Sequence, residues 1–271
     1  MQIPQGALPY KSTRSPPRAS YTSSSVPSQP SLPKTPLARW LADRETISAD
    51  TSAAHSLLKQ ANGAGEHLLA IEIAETLLAE SKVDPAPVLQ QMGRALAILG
   101  SSDAARLALE RISADRADAA ETAGLLGRVE KDLGTSAKTP AERNAHFQKS
   151  RNSYTTGHNA AIALGDHDGA AYCGINAAAI SVWLDDLPAA KELARKTIAL
   201  TGDRSDYYSI ATRAEALLIL GQSEKAFAAY REAAGLAASE KRWADLASTR
   251  KQCRELSLKL HGRRDHCLRF R

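Results

Sequence analysis

The sequence predicts an all-α chain of antiparallel helix hairpins, on three observations. The chain carries 50 Ala and 32 Leu against 12 Ile and 5 Val, so strong helix formers far outnumber the β-branched residues that strands prefer. Hydrophobic residues make up 43% but aromatics only 5%. The apolar surface is therefore built from small side chains, which lets helices approach closely. From about Asp50 onward, apolar residues recur at helical spacing between short stretches of Gly, Asp, Ser or Pro. That is the pattern of helix after helix.

Taken in order, residues 1–40 read as a disordered basic tail. Residues 1–36 hold eight of the 12 prolines and eight serines, with too few apolar groups to offset chain entropy. A linker, Ser-Pro and Thr-Pro modification at Ser15 or Thr35, and an organellar transit peptide are the uses open to such a segment. A helical domain is expected over 45–260. Its helices are expected at 50–61, 65–81, 86–99, 102–113, 118–133, 140–163, 169–184, 188–201, 206–220, 223–236 and 239–260. A short basic tail, 261–271, follows.

Charge and hydropathy narrow the function classes. Residues 1–42 hold five basic and no acidic residues, 43–250 hold 23 against 28, and 251–271 hold seven against two. Two basic ends flank a mildly acidic body. The body shows no basic stripe interleaved with aromatics, so a nucleic-acid-associated solenoid rests on the ends alone and is the alternative reading. There is no run of 18 apolar residues and no apolar core among the first thirty. Neither a membrane helix nor a secretory signal is predicted, and a cytoplasmic protein is expected. Three cysteines, Cys173, Cys253 and Cys267, are too few and too scattered for a disulfide framework.

An internal repeat underlies the helices. Four segments superimpose on a Leu followed by a turn residue: Leu99-Gly100, Leu133-Gly134, Leu184-Asp185 and Leu220-Gly221, spaced 34, 51 and 36 residues apart. Seven residues before each turn stands a small residue, Gly93, Gly127, Ala178 or Ala214. Five after it stands Ala105, Ala190 or Ala226 in three of the four, and nine after it Leu109, Ala194 and Tyr230. Small residues where two helices cross, and a turn residue able to take a left-handed conformation, are what a hairpin of about 34 residues requires. The predicted fold is a tetratricopeptide-like, right-handed solenoid. The 51-residue interval is read as one repeat with about eleven extra residues between Gly134 and the helix of Tyr154, plus a longer loop at 164–169.

The strings GRVEKD (127–132), YTTG (154–157), YCGINAA (172–178) and DYYSIATRAEALLILG (206–221) resemble the TRAF-binding region of apoptosis signal-regulating kinases. That region is related to tetratricopeptide repeats and occurs in stand-alone bacterial proteins. The resemblance spans roughly residues 85–236 and implies a regulatory, protein-binding helical domain. It implies no kinase, since the sequence has no glycine-rich or catalytic-loop motif. It does not carry TRAF proteins over as partners. Where family members usually have an aromatic, this chain has Glu130.

Catalytic motifs are absent from the sequence: there is no HExxH, GxxxxGK[ST], GxGxxG or GxSxG, and no enzyme, cofactor or metal is expected. Cys253, His261, His266 and Cys267 lack the ligand spacing of a zinc site. Asp166 and Asp168 lack the other ligands of a calcium loop.

The expected functional surface is the concave face, lined by the first helix of each hairpin. Nine residues before each turn lie Gln91, Leu125, Asn176 and Thr212; six before lie Arg94, Arg128, Ala179 and Glu215; Tyr172 and Tyr208 lie thirteen before the last two turns. The candidate partner-binding residues are Arg94, Arg128, Tyr172, Asn176, Tyr208, Thr212 and Glu215. They suit a protein or peptide partner, with Arg94 and Arg128 able to take carboxylates in bidentate fashion. Arg128 could instead pair with Asp132, and Asn176 could cap a neighbouring loop.

Overall fold

The computed structural model describes residues 35–80, 83–113 and 119–262. The tail expected over 1–34 and the end of the chain from 263, with His266 and Cys267, lie outside the described residues. Among the described residues there are twelve α-helices and no strand. They are α1 (Pro36–Ala49), α2 (Thr51–Gly63), α3 (His67–Glu80), α4 (Pro85–Ile98), α5 (Ser102–Leu109), α6 (Ala119–Ser136), α7 (Pro140–Ala163), α8 (His167–Trp183), α9 (Leu187–Thr201), α10 (Tyr207–Ile219), α11 (Ser223–Ser239) and α12 (Trp243–His261).

Five hairpins, α2/α3 to α10/α11, stack in sequence, and α12 covers the last. The backbone of each even-numbered helix closely approaches that of the next even-numbered one, whereas the backbones of the odd-numbered helices from α3 to α11 stay further apart and only side chains meet between them. The even row therefore forms the inner, concave face, as in a tetratricopeptide solenoid. Between the rows, apolar layers run through the stack. Trp40, Leu57, Ile73 and Val88 pack at the N-terminal end, Leu89, Leu109 and Val129 follow, and Ile175, Leu218, Phe227 and Leu256 pack at the C-terminal end.

One cap geometry repeats six times. The amide three residues past the helix end donates to the carbonyl five residues back: Glu66 to Ala61, Ser101 to Leu96, Asp166 to Ala161, Asp186 to Ser181, Gln222 to Leu217 and Arg242 to Ala237, at 2.8–2.9 Å. The residue just before that amide has positive φ, from 58° to 83°. Such a cap satisfies the carbonyls a helix end leaves open and turns the chain sharply into the next helix. Glycine fills four of these six positions, and Asp185 and Lys241 fill the other two.

Gly134 does not belong to this set. It lies inside α6, buried, where a Cβ would meet the Phe147 ring at 2.6 Å. The expected turn at Leu133-Gly134 is therefore a close helix crossing, and the chain turns after Ser136. The extra residues of the 51-residue interval lengthen α6 to 18 and α7 to 24 residues. α7 starts with Thr139 accepting from the Glu142 amide, the Glu142 carboxylate accepting from the Thr139 amide, and Pro140 in the first turn, a strong start signal.

The N-terminal boundary also differs from expectation. Thr35-Pro36 reads as linker in sequence but starts α1: Thr35 Oγ1 accepts the Ala38 amide at 3.2 Å. Trp40 is buried in the first apolar layer, under the Arg44 guanidinium. Helical structure thus begins at residue 36, within the segment assigned to the tail.

Candidate partner-binding groove

A groove of about 820 Å³ runs along the even-numbered helices from α4 to α12. Arg94, Arg128, Tyr172, Asn176, Tyr208, Thr212 and Glu215 all line it. They come together because the small-residue row fixes the rotation of each inner helix: Gly93 faces Leu109, Gly127 faces Tyr154, and Ala178 and Ala214 are fully covered. Residues one, two or six positions away are then turned towards the concave side, while those three or four away pack into the core with the small residue. Gln91 is the exception. It is buried in the contact with α2, where its side chain meets Asn62 Nδ2 at 3.2 Å and His55 Nε2 at 3.2 Å.

The arginines are paired within the chain. Arg94 reaches Glu121 at 3.4 Å, and Arg128 lies 3.9 Å from Asp132, one turn on. Asn176 spends its side-chain donor on the Tyr172 carbonyl, 2.9 Å away. Tyr172 and Tyr208 are 45% and 56% exposed, and Tyr208 Oη donates to Asp245 Oδ2 at 3.1 Å. Below them Tyr154 is buried edge-on to Tyr172, with ring centroids 6.0 Å apart, and Tyr207 stands edge-on to Tyr208 at 5.3 Å. Each exposed ring is thus held by a buried one, a rigid aromatic platform.

Several groove residues were not found from the sequence. Lys131 Nζ donates to Gln252 Oε1 at 3.2 Å, and Gln252 Nε2 donates to Glu215 Oε1 at 3.1 Å. This chain of contacts ties α6, α12 and α10 across the groove floor. Lys131 also sits 5.5 Å over the Trp183 ring. Burial pushes the Glu215 carboxyl up to about 7, against the opposing pull of the Gln252 hydrogen bond and the Lys131 charge. Burial likewise lowers the Lys131 ammonium. Gln252 and Asp245 lie on α12, which lacks the Leu-plus-turn anchor of the repeat, so superposing the repeats could not reveal them.

The groove carries eight acidic and five basic side chains. Asp166 and Asp168 do not form a calcium loop. Asp166 caps α8 by accepting the Gly169 amide at 2.9 Å, and Asp168 pairs with Arg204. Glu130, at the position where an aromatic was expected from the resemblance, is buried against α7 with its Oε2 2.7 Å from His146 Nδ1.

Comparison with known proteins agrees with this architecture. A model of the family described as Tetratricopeptide Repeats-Sensor matches residues 66–181. A thermophilic TPR protein of Thermus thermophilus has 17% identity and a TM-score of 0.58, covering 74% of this chain and 98% of that one. The TPR2AB-domain:pHSP90 complex of yeast Sti1 has 18% identity over 79% of this chain and 92% of that one, but a TM-score of 0.27. No curated protein matches the sequence. In sequence over residues 66–181, and in fold over 74% of its length, the chain is similar to tetratricopeptide proteins.

Proposed function

We propose that this chain is a non-catalytic interaction module that holds a segment of a partner protein in the groove of its even-numbered helices. The observation that carries this reading is the pair of exposed tyrosines, Tyr172 and Tyr208, each braced by a buried ring within a groove of about 820 Å³. Rigid amphipathic aromatics are common anchors of protein interfaces. Arg94, Arg128, Asn176, Thr212 and Glu215 would supply the polar contacts around them. A role in signalling is supported by the resemblance to the regulatory region of apoptosis signal-regulating kinases. The groove's excess of acids argues against nucleic acid there, because phosphates would be repelled.

The test is affinity capture from the native host with the wild type and with Tyr172→Ala/Tyr208→Ala, followed by calorimetric titration of the captured protein. Loss of the complex at unchanged melting temperature supports the groove. Wild-type affinity in the double variant would place recognition on another surface.

A further inference from the structure

The groove is electrically divided along its length, and this points to the kind of segment it takes. This inference rests on the groove reading above. In the half formed by α4 and α6, Arg94, Arg128 and Lys131 stand against Glu121 and Asp132. The pairs Arg94–Glu121 and Arg128–Asp132 leave that half close to balanced. In the half formed by α8, α10 and α12, five acids, Asp166, Asp168, Asp206, Asp245 and Glu255, face Arg204, Lys251 and, at the edge, Arg242. Both exposed tyrosines stand in this acidic half.

A second observation shows which group that chemistry accepts. Arg242, in the turn between α11 and α12, lies at the edge of this half, where it also pairs with Glu240. Its guanidinium is 5.1 Å from the Tyr208 ring centroid and 5.9 Å from that of Tyr207. Its Nη1 donates to Tyr208 Oη and to Asp245 Oδ2, each at 3.4 Å. The chain's own arginine therefore occupies a seat made of an aromatic face and a carboxylate, the combination that suits a planar cation. Tyr172 repeats the aromatic part of this seat one hairpin earlier, with Asp166 and Asp168 at the start of the same helix.

We infer that the occupant of the groove is a partner segment bearing arginine or lysine, with its cationic side chains in the α8–α12 half, one against Tyr172 and another taking the seat of Tyr208 and Asp245 in exchange for Arg242. Complementary charge would select such a segment and speed its association. An acidic segment would have to meet the surplus carboxylates of that half.

The probes are three short capped peptides of Ser, Ala and Gly carrying, at the same positions, Arg, Gln or Glu, each with a fluorescent label. Binding to the full chain is read by anisotropy at low and physiological salt. The Arg peptide should bind at least tenfold more tightly than the other two and weaken as salt rises. Asp245→Asn, a substitution that removes charge with little change of shape, should weaken it several-fold, and Tyr172→Ala/Tyr208→Ala tenfold or more. Lys225→Ala, on the exposed side of the outer helix α11 and away from the groove, should leave it unchanged. A preference for the Glu peptide that Arg94→Glu/Arg128→Glu abolishes would overturn the inference and leave the groove reading standing. Binding that depends on the tyrosines but not on peptide charge would do the same. Binding of the Arg peptide that ignores every groove variant would overturn both. No binding of any peptide would overturn the inference alone, since the captured partner tests the groove separately.

Discussion

Gly127 on α6 lies directly under the ring of Tyr154 on α7: a Cβ built on Gly127 would meet three ring atoms at 2.7–2.8 Å. The same stretch of backbone is fixed from the side by Ser150, whose Oγ donates to the Gly127 carbonyl at 2.7 Å. No side chain fits between these helices without moving a ring that is only 1% exposed. Gly127→Ala should therefore destabilise by about 1–3 kcal/mol and Gly127→Leu by at least as much. Gly235, within α11, has nothing within 4 Å of its Cβ position. There Gly235→Ala should stabilise by about 0.5–1 kcal/mol, because only helix propensity changes. Urea midpoints read both, and two shifts of the same sign would refute the packing argument.

Lys241 takes φ 58° in the turn between α11 and α12, where four of the six equivalent positions hold glycine. A side chain in the left-handed region costs roughly 1–2 kcal/mol. Lys241→Gly should thus raise stability by about 0.5–1 kcal/mol after the added freedom of the unfolded glycine is set against it. Asp185 is the poorer site for this test, since its carboxylate pairs with Lys259 Nζ at 2.6 Å. A fall in the thermal midpoint of Lys241→Gly would show that the lysine side chain contributes contacts that outweigh its strain.

Glu130 is 5% exposed and bonded to His146 across the α6–α7 crossing. Removing the histidine alone would strand a buried carboxylate, so His146→Ala should cost about 1–3 kcal/mol. Glu130→Gln/His146→Ala, which also removes the charge, should recover part of that loss. A double-mutant cycle on chemical denaturation reads the coupling. Strict additivity of the two substitutions would mean that the contact contributes nothing.

The sequence made the helices and the inner face legible because both depend on local signals. Ala and Leu at helical spacing, the glycines of the caps at Gly100 and Gly221, and the small residues Gly93, Gly127, Ala178 and Ala214 each record a local constraint. It failed where one residue type serves two purposes. Glycine at 134 looks like a turn and is a close crossing, and proline at 36 looks like a linker and starts a helix. The groove's charge balance was not legible either. Arg94 read as an open cation until the fold placed Glu121 beside it, and the sequence left Arg128 open between a partner and Asp132 one turn on. The bridge from Lys131 to Gln252 joins residues 121 positions apart, a distance over which no spacing rule operates.

Glu215 links the groove to pH. Its carboxyl is pushed from an ordinary 4.5 to about 7, first by burial. The sign follows from proton counting. Below about 4.5 the group is protonated in both folded and unfolded chains and contributes no pH dependence. As pH rises from 4.5 to 7 the unfolded chain ionises while the folded one keeps its proton, so the folded state loses stability across that window and no more above it. The full shift sets an upper bound near 3 kcal/mol, and the half-buried position of the side chain reduces the expected loss to about 1–2 kcal/mol. Glu215→Gln keeps an oxygen to accept from Gln252 and cannot ionise. Relative to wild type it should gain about 1–2 kcal/mol between pH 4.5 and pH 7.5, measured by urea unfolding at each pH. Parallel stability profiles for the two proteins would show that Glu215 is ionised in the fold at neutral pH, with Lys131 and Gln252 holding its charge.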